Sequence, residues 1–138
     1  MKRSTPSLQG AIDMQVLLDT QTFYLATTGG ALPKKVLSLL ANDDTERSIS
    51  AITIMEIAIK HNLRKMRMDD KLVRQGTVDL RATIVPFTPQ HAYRMFALPL
   101  HHRNPFDRMI IAAALTGGIP LIGGDREFRK YKGLKVIW

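Results

Sequence analysis

The chain has 138 residues, no cysteine and a formal net charge of +8, from 20 Lys+Arg against 12 Asp+Glu. The length suits one domain with a sizeable core, and the absence of cysteine removes disulfides, thiolate zinc sites and thiol nucleophiles together. The positive charge favours a polyanionic partner, nucleic acid before membrane. No basic block flanks an amphipathic anchor, no segment approaches the roughly 18 apolar residues of a membrane helix, and no apolar run follows Met1-Lys2-Arg3, so cytoplasmic residence is expected.

Residues 1–13 (MKRSTPSLQGAID) are polar, rich in Ser, Thr, Pro and Gly, and lack periodicity. They read as a flexible extension ahead of a single domain over 14–138. Val16-Leu17-Leu18 predicts a short buried strand that ends at Asp19. Thr22 to Ala26 predicts a helical turn before Gly29-Gly30, and Pro33 to Ala41 a helix with Pro at its first position. A strand is expected at Ser48–Ala51, a strongly apolar helix at Ile52–Leu63 and another helix at Asp69–Leu80.

Thr83–Phe87 reads as a third strand and Pro89–Leu98 as a helix. Pro105–Leu115 reads as a helix closed by Gly117-Gly118. Leu121-Ile122 is a fourth strand, Arg126–Tyr131 a helical turn and Lys135–Ile137 a last strand. Alternating strands and helices predict an α/β fold with a largely parallel sheet. The short, continuously apolar strands fit a sheet covered on both faces.

Four acids carry the chemical information: Asp19, Glu56, Asp107 and Asp125. Each has a local structural explanation. Thr53-x-x-Glu56 fits a capping box, Asn104-Pro105-Phe106-Asp107 fits a helix start, Asp125 could cap a turn and Asp19 could close a strand. As a set they point elsewhere. Caps accept Ser, Thr or Asn as readily, yet all four positions hold a carboxylate, and Glu56 lies in an apolar stretch where an unpaired charge is costly. Asp19 and Asp125 follow apparent strands, the end at which open α/β sheets bind ligands. Mg²⁺ or Mn²⁺, with a preference for hard oxygen ligands, would supply the counter-charge.

Val16-Leu17-Leu18-Asp19-Thr20, Met55-Glu56-Ile57-Ala58-Ile59-Lys60, Leu98 to Arg108 (LPLHHRNPFDR) and Pro120 to Phe128 (PLIGGDREF) occur in this order. With these segments the chain resembles the PIN-domain ribonucleases, and within them the VapC-type toxins of toxin–antitoxin pairs, from about Met14 onward. The resemblance implies a three-layer PIN-like fold, a five-stranded parallel sheet in order 3-2-1-4-5 with helices on both faces. It also implies metal-dependent endonucleolytic hydrolysis of RNA that leaves 5′-phosphate and 3′-hydroxyl ends. Asp19, Glu56, Asp107 and Asp125 would be the catalytic and metal-binding residues, and Mg²⁺ or Mn²⁺ the cofactor. The implied partners are RNA, a cognate antitoxin protein and a second copy in a homodimer. The alternative is a non-catalytic PIN module that binds RNA or a protein.

Two positions depart from the family pattern. Asn104 stands where Asp usually precedes Pro-Phe-Asp-Arg, and Gly123 where Thr or Ser is usual, so a hydroxyl restored at 123 is expected to help. Lys60, Arg108, Arg129 and Lys130 are candidates for binding RNA phosphates, although Lys60 could instead pair with Glu56 at i,i+4. His101-His102 admits metal-free acid–base cleavage, but adjacent side chains diverge, and His102 packing against a helix start is the simpler reading.

Overall fold

Val16, Leu17 and Leu18 are fully buried, and they alternate between two separate apolar cores. A strand behaves this way when both faces of its sheet are covered. The computed structural model describes residues 14–138, so the extension expected at 1–13 lies outside the described residues. The elements are β1 (Met14–Leu18), α1 (Thr20–Thr28), α2 (Lys34–Ala41), β2 (Thr45–Ser50), α3 (Ala51–Asn62), α4 (Asp70–Asp79) and β3 (Thr83–Val85). There follow α5 (Pro89–Arg94), α6 (Pro105–Gly117), β4 (Leu121–Ile122) and β5 (Val136–Ile137). Single 3-10 turns occupy Met95–Ala97 and Arg126–Lys130.

The sheet runs β3-β2-β1-β4-β5, and every neighbouring pair is parallel. This is the 3-2-1-4-5 order expected above. The chain builds outward from β1 through β2 to β3, then returns to the other side of β1 as β4. The strand order therefore reverses between β1 and β4, and a crevice opens there at the carboxyl ends of the strands. Asp19 follows β1, and Asp125 lies three residues beyond β4.

One core gathers Leu17 and Leu121 from the sheet with Ile110, Ile111 and Ala114 of α6 and with Phe128. The other gathers Val16, Leu18, Ile49 and Ile122 with Phe23 of α1, Val36 of α2 and Val73 of α4. Helix α3 serves both, through Ile52 in the first and Ile57 in the second.

Several boundaries differ from expectation for local reasons. α1 starts earlier than Thr22, because the Asp19 side chain caps it by accepting from the Thr22 amide at 2.8 Å. β2 starts earlier than Ser48, through Glu46 and Arg47. Arg47 is buried, and its guanidinium donates to the carbonyls of Leu80 (2.7 Å), Leu40 (2.9 Å) and Asn42 (3.1 Å). These carbonyls lie at the ends of α2 and α4, where a cation also complements the helix dipole. β3 stops at Val85 because Pro86 cannot donate to a ladder.

Candidate active site

Asp19, Glu56, Asp107 and Asp125 all line one cleft of about 400 Å³, together with Lys60, Asn104, Gly124 and Trp138. A larger groove of about 680 Å³ between α3 and α4 contains none of these four acids. Four different chain segments deliver the carboxylates. Asp19 is fixed at the end of β1 by its amide, which donates to the Ile122 carbonyl at 2.9 Å, and by the cap of α1. Thr22 then ties α1 to β4, its hydroxyl donating to the same carbonyl at 3.1 Å.

Glu56 projects from the middle of α3. The capping-box explanation for it fails, because the N-cap of α3 is Ser50 and the Thr53 hydroxyl instead meets that of Thr20 at 3.0 Å. Its side chain is 4% exposed, and Oε2 accepts from Lys60 Nζ at 2.6 Å. Its other oxygen, Oε1, is buried without a hydrogen-bond partner. Asp107 occupies the third position of α6. Asn104 caps that helix, with Oδ1 accepting from the amides of Phe106 (3.0 Å) and Asp107 (3.1 Å). The Asn-for-Asp departure at 104 thus preserves the cap. Asp125 is exposed at the mouth, where it caps the 3-10 turn through the Glu127 amide at 2.9 Å.

Electrostatics separate Asp19 and Asp107 from ordinary caps. Burial pushes the Asp19 carboxyl up to about 6, against the opposing pull of its Thr22 hydrogen bonds, and Asp107 and Glu56 push it further. Burial likewise raises Asp107 to about 6, with Glu56 and Asp125 adding to the effect and Lys60 countering it. Hard oxygen donors that repel one another, with one buried oxygen lacking a partner, have the chemistry that a divalent cation takes. In donor chemistry the residues present fit a divalent cation.

His102 belongs to the same neighbourhood, a role that sequence reasoning did not assign to it. Its ring stacks edge-on to Phe128 and Tyr131, and Nδ1 hydrogen-bonds the Tyr131 hydroxyl at 2.7 Å. Nε2 stands 3.5 Å from Asp107 Oδ2, and burial lowers the imidazole pKa, so this contact is no ion pair at neutral pH. Among the described residues, His102, Asp107 and Asp125 form the one set of potential ligands that converges within 4.8 Å. His101 packs edge-on against the same Tyr131 ring, so the two rings share a partner instead of diverging.

The candidate phosphate binders fare unevenly. Lys60 reaches the cleft but pairs with Glu56. Arg108 is turned to structural use, donating to the Pro99 (2.7 Å) and Leu98 (3.2 Å) carbonyls and to the Tyr131 hydroxyl (3.3 Å). Arg129 and Lys130 are exposed outside the cleft lining, and Lys130 pairs with Glu127 at 3.0 Å. The expectation for Gly123 is reversed. A Cβ there would stand 2.5 Å from Phe128 Cε2 and 2.7 Å from Asp19 Oδ2. Gly123 is needed for close approach, not for a left-handed backbone.

The PIN domain family model matches residues 16–134. Comparison with curated proteins finds no match. Among solved structures, the chain is similar to VapBC2 from Rickettsia felis bound to a DNA fragment from its promoter, with TM-score 0.66, 19% identity and coverage of 90% of this chain and 98% of that one. It is also similar to VapBC-1 from nontypeable Haemophilus influenzae, with TM-score 0.62, 21% identity and coverage of 90% and 97%. A toxin–antitoxin complex from Klebsiella pneumoniae gives TM-score 0.60, 21% identity and coverage of 89% and 96%. At such identities these likenesses concern the fold, whereas the family match spans most of the chain and all four acids: the chain belongs to the PIN domain family.

Proposed function

We propose that the protein is a metal-dependent endoribonuclease and the toxin of a toxin–antitoxin pair. The observation that carries the reading is the Glu56 carboxylate, buried with Oε1 unpaired, in a cleft where Asp19 and Asp107 are pushed up to about 6. A fold does not retain such a cluster for stability, since repulsion among buried carboxylates and a buried oxygen without a partner both destabilise it. The family and the likeness to VapBC and other toxin–antitoxin assemblies support the same reading.

Asp19, Glu56, Asp107 and Asp125 would hold Mg²⁺ or Mn²⁺. When bound, the cation would lower the pKa of an attacking water and offset charge on the phosphate and the leaving oxygen. The chain's own contribution is placement. Asp19 and Asp107 are locked by helix starts, Lys60 orients Glu56, and Gly123 leaves the Asp19 carboxylate room. The Phe128 and Tyr131 rings hold His102 against Asp107. Asp125 stands at the open mouth, where a phosphodiester enters.

RNA is the substrate, a cognate antitoxin and a second copy of the chain are the partners, and the cytoplasm is the compartment. Among the described residues no helix is long and apolar enough to cross a membrane. The test is cleavage of RNA by pure protein with Mg²⁺, with Mn²⁺ and with EDTA. Cleavage is expected with either cation and is expected to stop with EDTA. Cleavage that persists in EDTA and disappears on His102→Ala would move the chemistry to imidazole.

A further inference from the structure

A second shallow cleft, of about 390 Å³, adjoins the acid-lined one and shares Gln21 and Met66 with it. Its remaining lining is Tyr24, Arg64, Lys65 and Arg67. The three cations lie on the connection between α3 and α4 and are exposed. Among the described residues none of them meets a carboxylate within ion-pair distance. Two of the cations beside the acids are already engaged, Lys60 by Glu56 and Arg108 by backbone carbonyls.

Arg64 stands at a helix end. It follows the C-cap of α3 with φ +60, in the left-handed region, while its amide donates to the His61 carbonyl at 2.9 Å. Glycine is the residue that this helix-ending position favours, and a side chain there costs on the order of 1 kcal/mol. Arg81 follows the C-cap of α4 with φ +52 and pairs with Asp43, so the conformation alone assigns no use; Arg64 differs in standing beside two more cations unpaired among the described residues and next to the acid-lined cleft.

We propose that Arg64, Lys65 and Arg67 form a phosphate track along which single-stranded RNA runs into the acid-lined cleft, with Tyr24 offering a ring to a base. The inference rests on the nuclease reading above and adds the direction of the substrate. Lys60 lies one turn beyond Glu56 on α3, and the track begins just past the end of that helix. A polyanion approaching a carboxylate cluster needs flanking cations to hold it. RNA is favoured over an acidic protein segment because an aromatic ring among cations suits stacked bases, for which a carboxylate-rich peptide has no use.

The experiment measures RNA binding across a salt series in the Asp19→Asn background, and cleavage of a dinucleotide and of a long oligonucleotide by otherwise native protein. Arg64→Ala, Lys65→Ala and Arg67→Ala are combined, with Arg129→Ala plus Lys130→Ala for comparison. Three lost contacts to a single strand are expected to lower the salt slope by about 2. Affinity for the long oligonucleotide is expected to fall about tenfold at low salt, with dinucleotide cleavage unchanged. Arg64→Gly is expected to weaken RNA binding while melting at the same or a higher temperature, an outcome that a purely structural role excludes. An unchanged salt slope in the triple variant, with native cleavage intact, would overturn the track and leave the nuclease standing. A lowered slope in a protein that cleaves no RNA would keep the track and remove the nuclease. Unchanged RNA affinity with lost binding of polyglutamate would make the surface a protein-docking site and overturn the proposal.

Discussion

Arg47 and Glu56 are both buried charged residues on neighbouring elements, and the fold treats them in opposite ways. Arg47 on β2 spends its donors on three carbonyls at the ends of α2 and α4. Glu56 on α3 has one oxygen on Lys60 and one without a partner, among other carboxylates that raise their neighbours' pKa values. A buried charge with its hydrogen bonds met organises structure. A buried charge left partly unmet marks a place that awaits something else.

The largest effect expected from this contrast is on cleavage. Asp19→Asn or Asp107→Asn is expected to lower RNA cleavage about a thousandfold, near 4 kcal/mol of activation free energy. The metal-free protein is expected to melt several degrees higher, because a repelling buried charge is removed while Asn can still cap. Kinetics beside calorimetry on the same samples check both halves, and a fall in melting temperature would return that residue to a capping role. Next in size is Arg47→Met, which takes its donors from the Leu40 and Leu80 carbonyls and leaves Asn42 only the Thr45 amide. A loss of about 3 kcal/mol in urea unfolding is expected, with cleavage per folded molecule unchanged.

The third expectation concerns pH. Asp19 and Asp107 have folded pKa values of about 6 against 3.8 for the free group. Folded protein therefore binds more protons than unfolded protein between those values, and this component of stability is full below about pH 4 and lost as pH rises through about 6. The metal-free melting temperature of the native chain is expected to fall over that window relative to the Asp19→Asn, Asp107→Asn double variant. Metal affinity is expected to rise over the same window, because the ligands must lose their protons. Parallel pH profiles for the two proteins would refute this, as would metal binding that is indifferent to pH. The smallest effect is expected at Gly123. Gly123→Thr drives a Cβ into Asp19 and Phe128 and is expected to cost about 1–2 kcal/mol and to weaken metal binding. Isothermal titration with Mn²⁺ checks it, and tighter binding would show that a hydroxyl there helps after all.

The sequence was legible wherever local rules and burial agree. Pro105 after Asn104 and Gly118 after α6 bound that helix, and the apolar triplet at 16–18 marks the central strand. It was less legible where long-range partners decide. Glu46 and Arg47 hid the start of β2, since a charged pair reads as surface until the carbonyls that satisfy Arg47 are in view. The fate of the cations was hidden for the same reason, because what lies opposite Arg108 and Lys60 engages them and nothing among the described residues pairs Arg64. Gly123 read as a missing hydroxyl, and only packing shows that a Cβ there would meet Asp19.

The sequence by itself determined the alternation of strands and helices, the identity of the four acids and the excess of positive charge. These are written in periodicity, composition and the residues that end each element. The tertiary structure alone decided that acids 106 positions apart share one cleft. It also decided that one oxygen of Glu56 goes unpaired and that Arg64, Lys65 and Arg67 stand beside the cleft. The physical reason is that proximity, desolvation and repulsion are properties of pairs of groups. The reversal of strand order between β1 and β4 chooses the pairs.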